Sequence, residues 1–143
     1  MKKKLSLITI LSIVVGLLVA FSIQHYVLPN LDAPSIDSQL MSFASEINKN
    51  CPFMVDSETR LDNTVAGNGK SIIYNYTLVN YSKEQVNLNL LNSNLKPKIL
   101  NVIKTNPDMQ YLRDNDISFE YYYKDKFGVY IISFKFGPMD YKS

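Results

Sequence analysis

Residues 5–23 carry no charged side chain, and three lysines, Lys2, Lys3 and Lys4, stand directly in front of them. No other feature limits the chain so strongly. A segment of Leu, Ile, Val, Ala and Phe, diluted only by Ser, Thr and Gly16, has no polar face to turn toward water. As a helix rising about 1.5 Å per residue it spans about 28 Å, close to the roughly 30 Å hydrocarbon core of a bilayer. The next basic side chain is Lys49, so the positive-inside bias keeps the N-terminus in the cytoplasm and sends the rest of the chain outward. His25 and Tyr26 fall where interfacial side chains sit.

Two readings share this pattern. One is an uncleaved single-pass anchor in a bacterial inner membrane, with residues 5–23 in the lipid bilayer. The other is a signal peptide cut near Ser22, where Ala20 and Ser22 are small, which releases a secreted or periplasmic chain. The run is longer than the roughly 7–15 apolar residues of a signal peptide, and Phe21 and Ile23 continue it past Ala20, which favours the anchor. Both readings place the remainder outside the cytoplasm. The organisation expected is a cytoplasmic basic flank at 1–4, an anchor or signal peptide at 5–23, a linker at 24–34 and an extracytoplasmic domain at 35–143.

Setting the three flanking lysines aside changes the charge balance. Of 15 Lys and Arg, 12 remain against 13 Asp and Glu. A near-neutral domain lacks the basic footprint that nucleic acid requires, so that partner class is excluded. Hydrophobic residues at 46% and charged residues at 20% are ordinary globular values, and the length after the leader suits one modest core. A single cysteine, Cys51, excludes an intramolecular disulfide and any Cys-rich metal site. It also lies too far along the chain for a lipoprotein acylation site. No phosphate loop, metal-ligand spacing or catalytic triad occurs, so neither cofactor nor metal is expected.

The apolar pattern then alternates between two periods. Ser35 can cap a helix whose apolar positions are Ile36, Leu40, Phe43, Ala44 and Ile47, the stripe of an amphipathic helix that ends near Asn48, Asn50 and Pro52. From Phe53 the period becomes two. Phe53, Val55, Thr59, Leu61 and Val65 share one side, with Asp56, Glu58, Arg60 and Asp62 on the other, which predicts one half-buried strand. Gly67-Asn68-Gly69 reads as a turn into a partner strand over 71–80, with Ile72, Tyr74, Tyr76 and Leu78 inward. Ser82 and Gln85 form a capping box for a second helix carrying Val86, Leu90, Leu91 and Leu95, which Pro97 must kink or restart. Asn106-Pro107-Asp108 caps a short turn through Leu112. A closing hairpin follows, with Phe119, Tyr121 and Tyr123 facing inward opposite Tyr130, Ile132, Phe134 and Phe136. The order αββαββ predicts an α+β domain, a four-stranded antiparallel sheet with its helices on one face.

The densest polar constellation is Asp56, Glu58, Arg60 and Asp62, joined on the same expected face by Glu120. Alternate residues of a strand lie about 6.6–7 Å apart, a separation at which two carboxylates can share acid–base work or a hard cation. Arg60 between Glu58 and Asp62 argues otherwise, because it stabilises the charged forms instead of raising a pKa. A solvated ionic face, or a surface that contacts a partner, fits these residues better than catalysis. Cys51 lacks a nearby base, since His25 is the only histidine. Tyr121-Tyr122-Tyr123 is not one stacking surface, because alternation sends the middle ring to the opposite face.

The text Asn50-Cys51-Pro52-Phe53-Met54-Val55-Asp56, then Thr59-Arg60-Leu61-Asp62, Tyr74-Asn75-Tyr76-Thr77-Leu78 and Thr105-Asn106-Pro107-Asp108-Met109, resembles a family of small bacterial exported or membrane-anchored proteins of unknown function. The resemblance covers most of the chain after residue 40. It implies a compact extracytoplasmic domain and carries over no catalytic residue. The expectation is a tethered or exported envelope protein that binds another envelope protein. A small-ligand or hydrolytic role beside Pro97, or a structural subunit of an envelope assembly, stands as the alternative.

Overall fold

The computed structural model of the chain describes residues 34–143; the anchor or signal peptide expected at 5–23 lies outside the described residues. Helix α1 (Ile36–Asn48) starts as its cap predicts, with the Ser35 side chain accepting from the backbone N–H of Ser38 at 3.3 Å. Its stripe buries Leu40, Ala44 and Ile47. Strands β1 (Phe53–Met54) and β2 (Thr59–Gly67) follow, then β3 (Ser71–Leu78). A 3-10 turn at Lys83–Gln85 opens on the Ser82–Gln85 capping box and leads to α2 (Leu88–Leu90). The helix then widens into a π segment, Leu91–Leu95, and tightens again as α3 (Lys96–Thr105). Pro97 lacks the N–H that would bond four residues back, and its ring crowds that carbonyl; the wider turns just before it relieve both. The stripe survives the change of pitch, since Leu91, Leu95, Ile99 and Ile103 are all buried.

Asn106 caps the next 3-10 turn, Pro107–Met109, by accepting from Asp108 N–H at 2.9 Å, and α4 (Gln110–Asp114) continues it. Strands β4 (Ser118–Asp125) and β5 (Tyr130–Phe136) close the sheet, and a short α5 (Pro138–Tyr141) ends the chain. Buried Tyr141 ties α5 back to the sheet through its hydroxyl, which donates to the carbonyl of Ile117 at 2.9 Å.

The sheet has five strands in the order β1-β2-β3-β4-β5, not four, and it is mixed, not antiparallel. β3 and β4 run parallel, from Ser71 beside Ser118 to Leu78 beside Asp125, while the other neighbours are antiparallel. The helical crossover between β3 and β4 returns the chain to the end where β3 began, which a tight hairpin cannot do. Strand periodicity carries no record of direction. The fifth strand arises because the expected first strand folds back on itself. Asp56 Oδ1 accepts from the N–H groups of Glu58 and Thr59 at 2.7 and 2.8 Å, a turn that pairs Phe53 with Leu61.

Two bulges correct the expected facing. The register shifts between Leu61 and Asn63, leaving Asp62 as the extra residue, so Thr64 is buried and Val65 is 45% exposed. A second shift beside Tyr123 makes Ile131 the extra residue, so Tyr130 turns outward at 44% exposure while Ile131 is buried. The inner face otherwise follows the alternation. Tyr74, Tyr76, Tyr121 and Tyr123 form a two-by-two block across the parallel pair, with ring centroids 5.1 Å apart for Tyr74–Tyr121 and again for Tyr76–Tyr123. This block, Ile72, Phe119, Phe134 and Phe136 share one core with the buried residues of the helices.

β1 covers only the start of β2 and leaves its later edge open. Asn48, the last residue of α1, closes it: its side-chain N–H donates to the Thr64 carbonyl at 2.7 Å, and its side-chain oxygen accepts from the Thr64 N–H at 2.7 Å. One amide thus takes the place of a paired strand. Among the described residues no helix is long and apolar enough to cross a membrane.

Candidate functional site

The outer face of the sheet is where the polar residues gather. Asp62 is its centre. One carboxylate oxygen accepts from Arg60 Nε at 2.6 Å; the other accepts from Thr77 Oγ1 at 2.6 Å and meets Lys124 Nζ at 3.1 Å. The four side chains come from β2, β3 and β4. Register puts them together, since Arg60 lies opposite Thr77 and Thr77 beside Lys124. The bulge then swings Asp62 into the same cluster. Burial pushes its carboxyl up, but the bonds from Thr77, Arg60 and Lys124 and the Lys124 charge outweigh that and hold it below the ordinary carboxylate value. An aspartate so held stays ionised at neutral pH and is a poor proton donor.

The remaining expected residues divide. Glu120 lies on the same face and pairs with Lys135 across the β4–β5 ladder at 3.4 Å. Glu58 stands in the loop before β2 and accepts from Asn80 Nδ2 at 2.6 Å. Asp56 leaves the face altogether, with one oxygen committed to the turn and the other, Oδ2, buried without a hydrogen-bond partner. The structure therefore unites Arg60 and Asp62 with Thr77 and Lys124, places Glu120 on the same face, and separates Asp56 and Glu58 from them. Strand alternation stops at Thr59, so no spacing argument reaches across the Asp56 turn.

Sequence reasoning missed a second cluster at the β4–β5 turn. Asp125, read from the sequence as a turn residue, is only 1% exposed. Its Oδ1 accepts from the N–H groups of Phe127 and Val129 at 2.8 Å each, and its Oδ2 accepts from the Lys83 N–H at 2.9 Å. Burial pushes this carboxyl up as well, and the three backbone bonds bring it below its usual value. The Asp-Lys-Phe-Gly text was the available signal, because a short acidic side chain before a turn glycine commonly bonds the backbone ahead of it. On the inner face, burial raises the hydroxyls of the four stacked tyrosines far above the usual range. Burial first, and the charge of Asp62 second, raise the Cys51 thiol, which disfavours the thiolate a nucleophile needs. Among the described residues no group of three or more His, Cys, Asp or Glu is placed to hold a metal ion.

A mixed five-stranded sheet with an aromatic inner face packed on helices and a polar outer face defines a small α+β domain. Its fold recurs in known structures. A Pseudomonas aeruginosa protein inferred to be secreted superposes with a TM-score of 0.58 at 11% identity, covering 76% of this chain and 98% of the other. The type 2 secretion system pilotin of Vibrio vulnificus gives 0.59 at 6% identity, with 73% and 90% covered. The type II secretion system pilotin of Vibrio cholerae gives 0.56 at 11% identity, with 73% and 91% covered. The chain belongs to the family described as Domain of unknown function (DUF8479), whose model matches residues 35–129, more than half of its length. No curated protein sequence matches it.

Proposed function

We propose that this chain is an accessory protein of the bacterial envelope, secreted or tethered outside the cytoplasm, whose polar sheet face docks on another envelope protein. The observation that carries the reading is the prearranged charge on that face. Arg60, Asp62, Thr77 and Lys124 are locked together across three strands. Lys135 extends the charge onto β5 beside Glu120. Fixed, complementary charges on a rigid sheet favour orientation and selectivity of a partner over chemistry. Two further points support it. The same fold serves two pilotins of type II secretion systems, which favours an accessory role at the envelope. The uncharged run at 5–23 supplies the export or tethering signal, and a tether raises the effective concentration of a domain beside its partner.

The test is charge reversal on the face. Membranes from cells expressing the full chain are solubilised in detergent and the proteins that co-purify are identified. With Arg60→Glu and Lys135→Glu together, the specific partner is lost while the melting temperature stays within a few degrees of the parent. Retention of every co-purifying protein would show that this surface is not the contact.

A further inference from the structure

The β4–β5 turn carries a second surface with chemistry unlike that of the sheet face. Phe127 is 73% exposed at its tip, and Val129 and Tyr130 beside it are 47% and 44% exposed. The Tyr130 ring lies 5.1 Å from that of Tyr122, and Lys83 Nζ stands 5.9 Å from the Tyr130 centroid. Lys126 Nζ stands 5.2 Å from the Phe127 centroid. Exposed aromatic rings on a loop normally turn inward or move; these are held out. Asp125 bonds the N–H groups of Phe127 and Val129, Gly128 adopts a φ of 82°, and Lys126 N–H donates to the Tyr81 carbonyl at 3.1 Å. Lys83 is fixed to the same tip because its own N–H bonds Asp125.

We propose that this tip is a lipid-surface contact, inserting Phe127, Val129 and Tyr130 into the headgroup region of an anionic bilayer while Lys83 and Lys126 meet lipid phosphates. Shape and charge select this occupant. The exposed apolar residues Phe127 and Val129 lie in the turn beyond the last paired residues, Lys124 and Tyr130, and exposed apolar side chains flanked by lysines suit a soft, charged interface. The acids next to the tip are Asp125 and Glu84. Asp125 is buried and spent on backbone N–H groups, which leaves Lys83 and Lys126 against exposed Glu84, a net positive tip around exposed rings, the combination that anionic headgroups attract. Lys124 points away to Asp62 and belongs to the sheet face. The two surfaces adjoin at Tyr130, the cross-strand partner of Lys124; the turn is assigned to lipid and the sheet face to protein. The proposal does not depend on the protein partner.

The chain contains no tryptophan, so Phe127→Trp creates a single fluorescent reporter at the tip with little change in shape. Val65→Trp, at another exposed apolar position on β2, is the control. Each full-length variant is reconstituted into nanodiscs of phosphatidylcholine alone or of phosphatidylcholine mixed with phosphatidylglycerol, with and without brominated acyl chains. Any attachment through residues 5–23 is common to both reporters, so a difference between them reads the tip. The expected result is a blue shift and bromine quenching for the tip reporter in anionic discs. Both effects weaken in high salt and disappear when Lys83→Glu and Lys126→Glu are added. Emission that is the same in both lipids, quenching equal at Val65→Trp, or a blue shift without bromine quenching would overturn the proposal. The last outcome would mean that protein, not lipid, covers the tip. Loss of a co-purifying protein on reversing Arg60 and Lys135 bears only on the sheet face, so the two ideas fail separately.

Discussion

Replacing Asn48 by Ala tests the claim that one side-chain amide stands in for a missing strand at the open edge of β2. The substitution removes two hydrogen bonds of 2.7 Å to the N–H and C=O of Thr64. A typical hydrogen bond contributes about 1 kcal/mol net, and a group left unsatisfied in a buried setting costs about 1–3 kcal/mol. Thr64 itself is 1% exposed and Asn48 is half-buried, so water replaces the lost partner poorly. Two bonds therefore represent about 2–3 kcal/mol. The expectation is a loss of about 2 kcal/mol, or roughly 8 °C in melting temperature for a domain of this size. Asn48→Asp is informative beside it, because it keeps the acceptor for the Thr64 N–H but sets a carboxylate against the Thr64 carbonyl. It should be at least as destabilising at neutral pH and partly recover in acid. Urea unfolding followed by circular dichroism measures both, with Asn63→Ala as the exposed control, where loss of the bond to Asn75 costs less than about 0.5 kcal/mol. A loss below about 0.5 kcal/mol for Asn48→Ala would refute the argument, since the edge would then need no partner.

Two further outcomes concern the polar groups. Asp62 is held below its ordinary carboxylate value in the folded state, so it contributes stability above its unfolded value of about 4, and that stability is lost as pH falls through the lower folded value. Asp62→Asn should lower stability by about 1 kcal/mol at neutral pH once solvent screening of the pairs is allowed for, and it should flatten the stability profile below about pH 4; an unchanged acid slope in unfolding titrations would contradict the assigned network. The Tyr121 hydroxyl is buried without a partner while that of Tyr141 bonds the Ile117 carbonyl. Tyr121→Phe should therefore be neutral or stabilising by up to about 1 kcal/mol and Tyr141→Phe destabilising by about 1 kcal/mol, and thermal melts showing the opposite order would reverse the reading of both sites.

Much of the architecture was legible one segment at a time. The Ser35 and Asn106 caps, the Ser82–Gln85 box, the stripe of α1 and the inward set of β3 and β4 are local, because each depends on residues within one or two turns of one another. The disturbance at Pro97 was equally local, although its form, a π segment before the proline, was not. The candidate face was legible only in part. Arg60, Asp62 and Glu120 share the outer side of the sheet as alternation predicts, whereas Asp56 and Glu58 do not, because the Asp56 side chain bends the chain before β2 begins. Thr77 and Lys124 joined Asp62 through register across three strands, which no spacing within one strand encodes.

The division between the two levels is physical. By itself the sequence determined a near-neutral α+β domain behind an uncharged apolar run, with the caps at Ser35 and Asn106 and the aromatic side of its strands, since hydrophobic period and capping chemistry act over a few residues. The second helix starts at Asn87, not at the Ser82 box, which closes only a 3-10 turn. Tertiary structure alone decided that β3 and β4 run parallel, that bulges at Asp62 and Ile131 reverse the facing of Thr64, Val65 and Tyr130, that Asn48 seals an edge 16 residues away, and that Asp125 holds an aromatic tip outward. Those outcomes rest on bonds between segments brought together only when the core closes. A buried backbone group must find a partner wherever the fold supplies one.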